Sequence, residues 1–188
     1  MPRLTFRRYD AEGARAVREI IALIYSDAYA EAIASGDPFE TPEASMRRFD
    51  SHTTAPSFEL VMAFVGGEPV GQIWGWPIKA PTIAGSLEDA TADAGPASNH
   101  KDGERIFALA EIMVRQAWTG QGIAHALHDE LLGARPEQRA ELFVNPNNTR
   151  ARRAYLKWGW RKVGQIRPEL PDAPLFDVLV LPLPISVR

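Results

Sequence analysis

The chain has 188 residues, 45% of them hydrophobic and 24% charged, and carries a net charge of −3. That length holds one ordinary domain, and the apolar share is that of a globular chain, not a disordered one. There is no cysteine, which excludes a disulfide scaffold, a thiolate metal site, an iron–sulfur cluster and a thiol nucleophile together. The net charge argues against a general nucleic-acid binder, yet it hides an asymmetry. Residues 139–167 contain eight Lys/Arg and one acid, Glu141, so this stretch carries +7 and the remainder −10. A basic stretch in an acidic chain points to a local anion site.

The N-terminus, MPRLTFRRYD, alternates apolar and charged residues. The apolar run Ile20–Ile24 is far shorter than the roughly 20 residues a membrane span needs. The expectation is a soluble, cytoplasmic chain folded as one domain over residues 1–188.

Residues 4–8 alternate as a first strand. Asp10 offers a cap to a helix in which Val17, Ile20, Ile21, Ile24, Tyr25 and Ala28 recur at three- and four-residue spacings, giving one apolar face. Thr41-Pro42-Glu43 reads as a second helix start, with a capping hydroxyl, a proline in the first turn and an acid at the positive end of the dipole. That helix is expected to end between Phe49 and Ser51. Phe58–Phe64 and Pro69–Trp76 follow as strands joined by a Gly66-Gly67 turn.

Residues 77–103 then show little periodicity and carry three prolines, Pro77, Pro81 and Pro96. A loop of this length is either a substrate lid or solvated slack between strands. Ile106–Arg115 resumes as a mostly apolar strand, followed by a glycine-bearing turn and a helix with Ile123, Leu127 and Leu131 on one side. Glu141–Val144, a helix over Asn148–Lys157, and strands over Trp160–Ile166 and Leu175–Leu181 complete the chain. The order is strand, two helices, three strands, helix, strand, helix, two strands. It suits an α/β (α+β type) fold: a single mixed, mostly antiparallel sheet of about seven strands with helices on both faces.

The strongest local signal is the strand–turn–helix Val114–Ala124. Gly120 and Gly122 remove side chains where a ligand must approach backbone, and the helix start presents free N–H groups. Such a start binds phosphate without a basic side chain; the alternative is a glycine-rich turn with no ligand. A dinucleotide fingerprint fails, because His125 stands where a third small residue is required, and no P-loop lysine follows.

At this point the sequence resembles the GNAT superfamily of acetyl-CoA-dependent N-acetyltransferases. Its motif A, Arg/Gln-x-x-Gly-x-Gly/Ala, is met at Gly122 and Ala124, with Thr119 in place of Arg or Gln. Its motif B, Asn-x-x-Ala-x-x-x-Tyr-x-x-x-Gly-aromatic, is met at Asn148, Ala151, Tyr155, Gly159 and Trp160. The order of elements follows the family, so the resemblance covers nearly the whole chain.

The resemblance implies acetyl-CoA as cosubstrate, with no metal. It assigns the backbone of Ile112, Met113 and Val114 to the pantetheine arm, and the amides of Gly120, Gln121, Gly122, Ile123, Ala124 and His125 to the pyrophosphate. Asn148 would hydrogen-bond the pantetheine arm. Arg150, Arg152 and Arg153 either meet the 3′-phosphate or are solvated. A strand amide near Met113 or Val114 would donate to the oxyanion. Tyr155 resembles the family's general acid, because a phenol of pKa about 10 is protonated at neutral pH and can reprotonate a leaving thiolate. It also shares an apolar face with Ala151 and Trp158, as a core residue would.

Glu111 interrupts an apolar strand, where a carboxylate is costly without a partner or a task, and it is the candidate base. Some family members use an acid on the strand before motif B, where this chain has Phe143; Glu141 is the reserve there. His125 and His128 lie three apart but have no third ligand at a natural spacing, so packing or surface roles are expected. Trp74, Trp76 and Tyr25 either line an acceptor pocket or fill the core, and core is the expectation for Trp74.

The function expected is transfer of an acetyl group to a primary amine of a small molecule or peptide in a ternary complex. The alternative is a catalytically silent acyl-CoA-binding or interaction module. No nucleic acid or membrane partner is expected, and the chain would be a monomer or homodimer. The acceptor pocket would be built from the first two helices and residues 77–103.

Overall fold

The computed structural model describes residues 3–79 and 104–186. These form two compact units, one from residues 3–76 and 109–134 and the other from residues 77–79, 104–108 and 135–186. Strand β4 (Arg105–Val114) contributes to both.

In the first unit β1 (Leu4–Tyr9) runs antiparallel to β2 (Glu59–Val65), from Leu4↔Val65 to Tyr9↔Leu60. Strand β2 turns at Gly66-Gly67 into antiparallel β3 (Glu68–Lys79). Both turn residues have positive φ, 59° and 86°, the requirement of a two-residue hairpin that matches strand twist. Strand β3 continues through Pro77, Ile78 and Lys79, so the loop expected from residue 77 does not begin there. Proline still fits a strand wherever its missing N–H is not needed by a neighbour. Residues 80–103, including the expected lid, lie outside the described residues.

The first helical region is one amphipathic face but three helices: α1 (Ala11–Ala16), α2 (Arg18–Ala28) and α3 (Ala30–Ala34). The backbone leaves helical geometry at Val17 (ψ 19°) and again at Tyr29 (ψ 18°). Asp10 therefore caps only α1, accepting from the Gly13 amide at 2.8 Å. Helix α4 (Pro42–His52) starts as read, with Thr41 accepting from the Ala44 amide at 3.1 Å, and extends to His52.

Alternation along β3 explains why helices cover both faces here. Trp74 is 1% exposed, in a core with Ile21, Ile24 and Tyr25 of α2 and Met46 and Phe49 of α4. Gln72, two positions earlier on that face, donates to the Ile21 carbonyl at 3.1 Å. Gly71 points the other way: a Cβ there would meet the Leu127 side chain at 3.1 Å and the Met113 carbonyl at 2.9 Å. Leu127 belongs to α5 (Ile123–Leu132), so α5 packs opposite α2 and α4. Phe49, fully buried, meets Trp74 edge-on at 5.5 Å. Truncating such a ring to alanine costs about 3–5 kcal/mol.

In the second unit β5 (Arg139–Val144) and β6 (Arg161–Ile166) each pair antiparallel with β7 (Phe176–Pro182). Strands β4 and β5 are parallel at Ile106↔Arg139, Phe107↔Ala140 and Ala108↔Glu141. The strand order is β1-β2-β3-β4-β5-β7-β6, an open mixed sheet of seven strands. Helix α6 (Thr149–Lys157) precedes β6.

Candidate active site

The glycine turn of the first unit is built to leave backbone amides open. After β4 a short 3-10 turn, Gln116–Trp118, leads to Gly120 and Gly122, whose φ values are 78° and 80°. That left-handed backbone costs any side-chain-bearing residue about 1–2 kcal/mol, so these are positions where glycine is required. Gly122 is the N-cap of α5 and brings no side chain to cap it, and no acid occupies the first turn. The Ala126 amide makes the first intrahelical bond, to the Gly122 carbonyl at 3.0 Å. The amides of Ile123, Ala124 and His125 precede it and have no place in the helical ladder.

Thr119 does not reach this cradle, because its hydroxyl donates to the Gln116 carbonyl at 2.9 Å. Gln121 donates its side chain to the Ala117 carbonyl at 3.3 Å, so only its backbone is offered to a phosphate. Ile112, Met113 and Val114 end β4, and the register shared with β5 has already stopped at Ala108. Their peptide groups lie past its last rung, as pairing with a pantetheine arm would require.

Glu111 shares its strand face with Met113, a member of the α2/α4 core. The Tyr29 hydroxyl donates to its carboxylate, and Arg48, Glu40 and Tyr25 lie within electrostatic reach. Burial pushes the Glu111 carboxyl up to about 7; the Arg48 charge opposes this and Glu40 adds to it. Tyr25 is a core residue, 1% exposed, yet its hydroxyl donates to Glu40 Oε2 at 2.9 Å. Burial first, then the Glu40 charge, raises the Tyr25 phenol far above its ordinary value. Tyr25 and Tyr29 stack at 4.7 Å. Arg48 donates to the Phe39 carbonyl at 2.8 Å and lies 3.9 Å from the centre of the Phe39 ring.

Next to this cluster His52 Nδ1 accepts from Trp74 Nε1 at 3.2 Å, and the His52 ring lies 4.8 Å from that of Trp76. Burial, aided by the Arg48 charge, lowers His52 to about 4, so it is neutral at pH 7. The expected assignment of Trp74 to the core holds, and Trp76 is only partly buried against that core. Tyr29, Glu40, Arg48 and His52 are the residues that sequence reasoning missed. They stand 59 to 82 positions before Glu111 in the chain and on different helices and turns, so no spacing rule links them.

In the second unit Asn148 is exposed and its Oδ1 caps α6, accepting from the Ala151 amide at 3.1 Å. The capping oxygen is thus committed, and its side-chain N–H groups are what a ligand would meet. Tyr155 is 8% exposed, with edge-on contacts to Trp158 at 5.7 Å and Trp160 at 5.9 Å.

Two of the residues weighed in the sequence have ion-pair partners here. Arg152 pairs with Asp177, Nε to Oδ2 at 3.1 Å; Arg150 and Arg153 are exposed. Glu141, the reserve base, is 2% exposed and clamped by Arg139 at 2.6 Å. Arg139 is shared with Glu104 at 2.9 Å. A buried carboxylate in such a pair is part of the packing of this unit. Phe143 stacks on Phe176 at 6.4 Å.

Comparison with known proteins accords with this arrangement. Residues 18–160 match the Acetyltransferase (GNAT) family. No curated protein matches the chain in sequence. A GNAT-family acetyltransferase from Streptococcus agalactiae 2603 has a similar structure, with TM-score 0.70 and 12% identity over 98% of this chain and 96% of that one. The PaiA N-acetyltransferase from Thermoplasma acidophilum, solved with coenzyme A, gives 0.56 and 13% over 96% and 99%. Arabidopsis thaliana NAA60, solved with a bisubstrate analogue, gives 0.61 and 14% over 98% and 100%. At such identities these likenesses establish the fold. The family match spans three quarters of the chain, and with the fold it settles the point: this protein belongs to the GNAT family of acetyltransferases.

Proposed function

We propose that this protein is an active N-acetyltransferase that moves the acetyl group of acetyl-CoA to a primary amine of a small molecule or peptide, by direct transfer in a ternary complex. The observation that carries the reading is the uncapped amide cradle at Gly122–His125, where the sequence resembles the family's motif A. When bound, acetyl-CoA supplies an activated thioester. The cradle amides, from Gly120 to His125, would hold its pyrophosphate, where the helix dipole favours negative charge. The backbone of Ile112, Met113 and Val114 would pair with the pantetheine arm, and the Asn148 side chain would donate to it. A peptide N–H at Met113 or Val114 would donate to the carbonyl oxygen as charge develops on it.

Glu111 is assigned the amine's proton. A carboxyl with pKa about 7 is half ionised near neutrality, the range in which a general base works best. The charges of Glu40 and Arg48 offset each other, so the ionised fraction of Glu111 supplies the negative charge that would favour a cationic amine. Tyr155 is assigned the proton that the leaving sulfur takes up, a role that rests on its place in motif B. Without a cysteine no acyl-thioenzyme route is open to the chain, which supports direct transfer with both substrates bound together.

The test is release of free thiol from acetyl-CoA in the presence of a panel of primary amines. Turnover with at least one amine supports the reading. Thermal stabilisation by acetyl-CoA without turnover for any amine overturns it in favour of a silent acyl-CoA-binding module.

A further inference from the structure

Two histidines of α5 converge on one carboxylate oxygen of the same helix. His128 Nδ1 lies 3.0 Å from Asp129 Oδ1, and His125 Nε2 lies 3.6 Å from that same oxygen. The donor atoms of all three residues fall within 4.8 Å of one another. A tetrahedral zinc centre with ligand bonds of about 2.0–2.1 Å holds its ligands about 3.3–3.4 Å apart. The two separations at Asp129 bracket that value, and the pair of imidazoles falls within 4.8 Å.

The helix explains the convergence. Residues 125 and 129 are one turn apart on one face, and 128 is its neighbour in the three-residue row. His128 is 2% exposed, Asp129 23% and His125 51%. The inner imidazole is thus held by packing, while the outer one leaves a way in from solvent.

We propose that His125, His128 and Asp129 form a three-ligand site for a divalent ion of the zinc class, with the remaining coordination position open to solvent. Two imidazoles and a carboxylate are a donor set suited to Zn2+ and its first-row neighbours, and not to Mg2+ or Ca2+. The nearness of Asp129 to both histidines also shows why the spacing His-x-x-His looked incomplete. The third ligand directly follows the second histidine, and only the helical rotation turns it back toward the first.

The experiment uses the whole chain, free of any affinity tag and stripped with chelator, titrated with ZnCl2 by calorimetry. A saturable site with one ion per chain is expected, together with tetrahedral-type visible absorption when Co2+ replaces Zn2+. His125→Ala and Asp129→Asn, both at accessible positions, should each weaken binding by at least about tenfold. No saturable binding, or wild-type affinity in folded His125→Ala and Asp129→Asn proteins, overturns the site. Because the readout is metal affinity, the result stands apart from whether an amine substrate is found.

Discussion

Arg152 Nε stands 3.1 Å from Asp177 Oδ2, a carboxylate whose side chain is 1% exposed. Lys162 reaches the other oxygen at 2.6 Å and Gln165 donates to it at 2.9 Å. Burial alone would raise the Asp177 carboxyl, but the hydrogen bonds from Lys162 and Gln165 and the charges of Lys162 and Arg152 outweigh it and hold the group below its ordinary value. The basic stretch is therefore partly an internal counter-charge. Arg152→Ala should cost about 1 kcal/mol, since Arg152 is 40% exposed and Lys162 remains, a fall of about 2–4 °C in melting temperature. Affinity for CoA should stay at the wild-type value. A variant with unchanged melting and weakened CoA binding would return Arg152 to the phosphate.

The Asp177 relation also has a pH sign. A carboxyl lowered in the folded state stabilises above its unfolded value, about 3.9, and that contribution disappears as pH falls through the folded value. Acid melting curves should show Asp177→Asn less stable than wild type at pH 7, with the gap closing below pH 4. A gap that does not narrow at all as pH falls below about 4 counts against the electrostatic account.

Glu111 has the opposite sign. Its folded carboxyl is raised from 4.5 to about 7, so the folded chain loses stability as pH rises across that window. Glu111→Gln should be more stable than wild type at pH 8, on the order of 1–3 kcal/mol, and equal to it below pH 4. Turnover should move the other way. The wild-type rate should rise with pH through about 7, and the glutamine variant should lose about 10²–10⁴-fold along with that pH limb. A Glu111→Gln protein with wild-type rate and profile would show that the amine arrives already neutral.

Tyr155→Phe retains the ring that packs between Trp158 and Trp160, so its melting temperature should stay close to wild type. If the hydroxyl supplies the proton, kcat should fall by about 10²–10⁴-fold while KM for acetyl-CoA is little changed. Full activity across the pH range would leave Tyr155 a core residue.

At Gly122, with φ 80°, alanine carries about 1–2 kcal/mol of backbone strain. Gly122→Ala should lower the melting temperature by about 2–8 °C and weaken CoA binding, because relief of the strain tilts the cradle amides. Calorimetry against CoA separates this from Gly36→Ala, also at positive φ (78°) but away from the cradle, which should strain the chain without touching CoA affinity.

How legible all this was differs between elements. The hairpin at Gly66-Gly67, the Thr41 cap and the motif B helix were readable because each depends on residues within a few positions of one another. The break of the first amphipathic face into three helices was not, because Val17 and Tyr29, where the backbone leaves helical geometry, carry no breaker chemistry. The end of β3 was misplaced because Pro77 looks like a boundary and is one only where its N–H is needed. Glu111 was legible as an acid within an apolar strand. The environment around it, Tyr29, Glu40 and Arg48, was not.

What the sequence by itself determined is the family and the positions of the candidate cradle and acid, since motifs A and B are local patterns imposed by backbone geometry and short-range bonding, and the candidate base, since a lone acid stands out within an apolar strand. What only the tertiary structure decided is which charges are available. It tied Arg152 to Asp177 and Glu141 to Arg139, gathered Glu40 and Arg48 around Glu111, and turned Asp129 toward two histidines. The physical reason is that the free energy of a charge is set by the few ångströms around it, and packing fills that space with residues from anywhere in the chain.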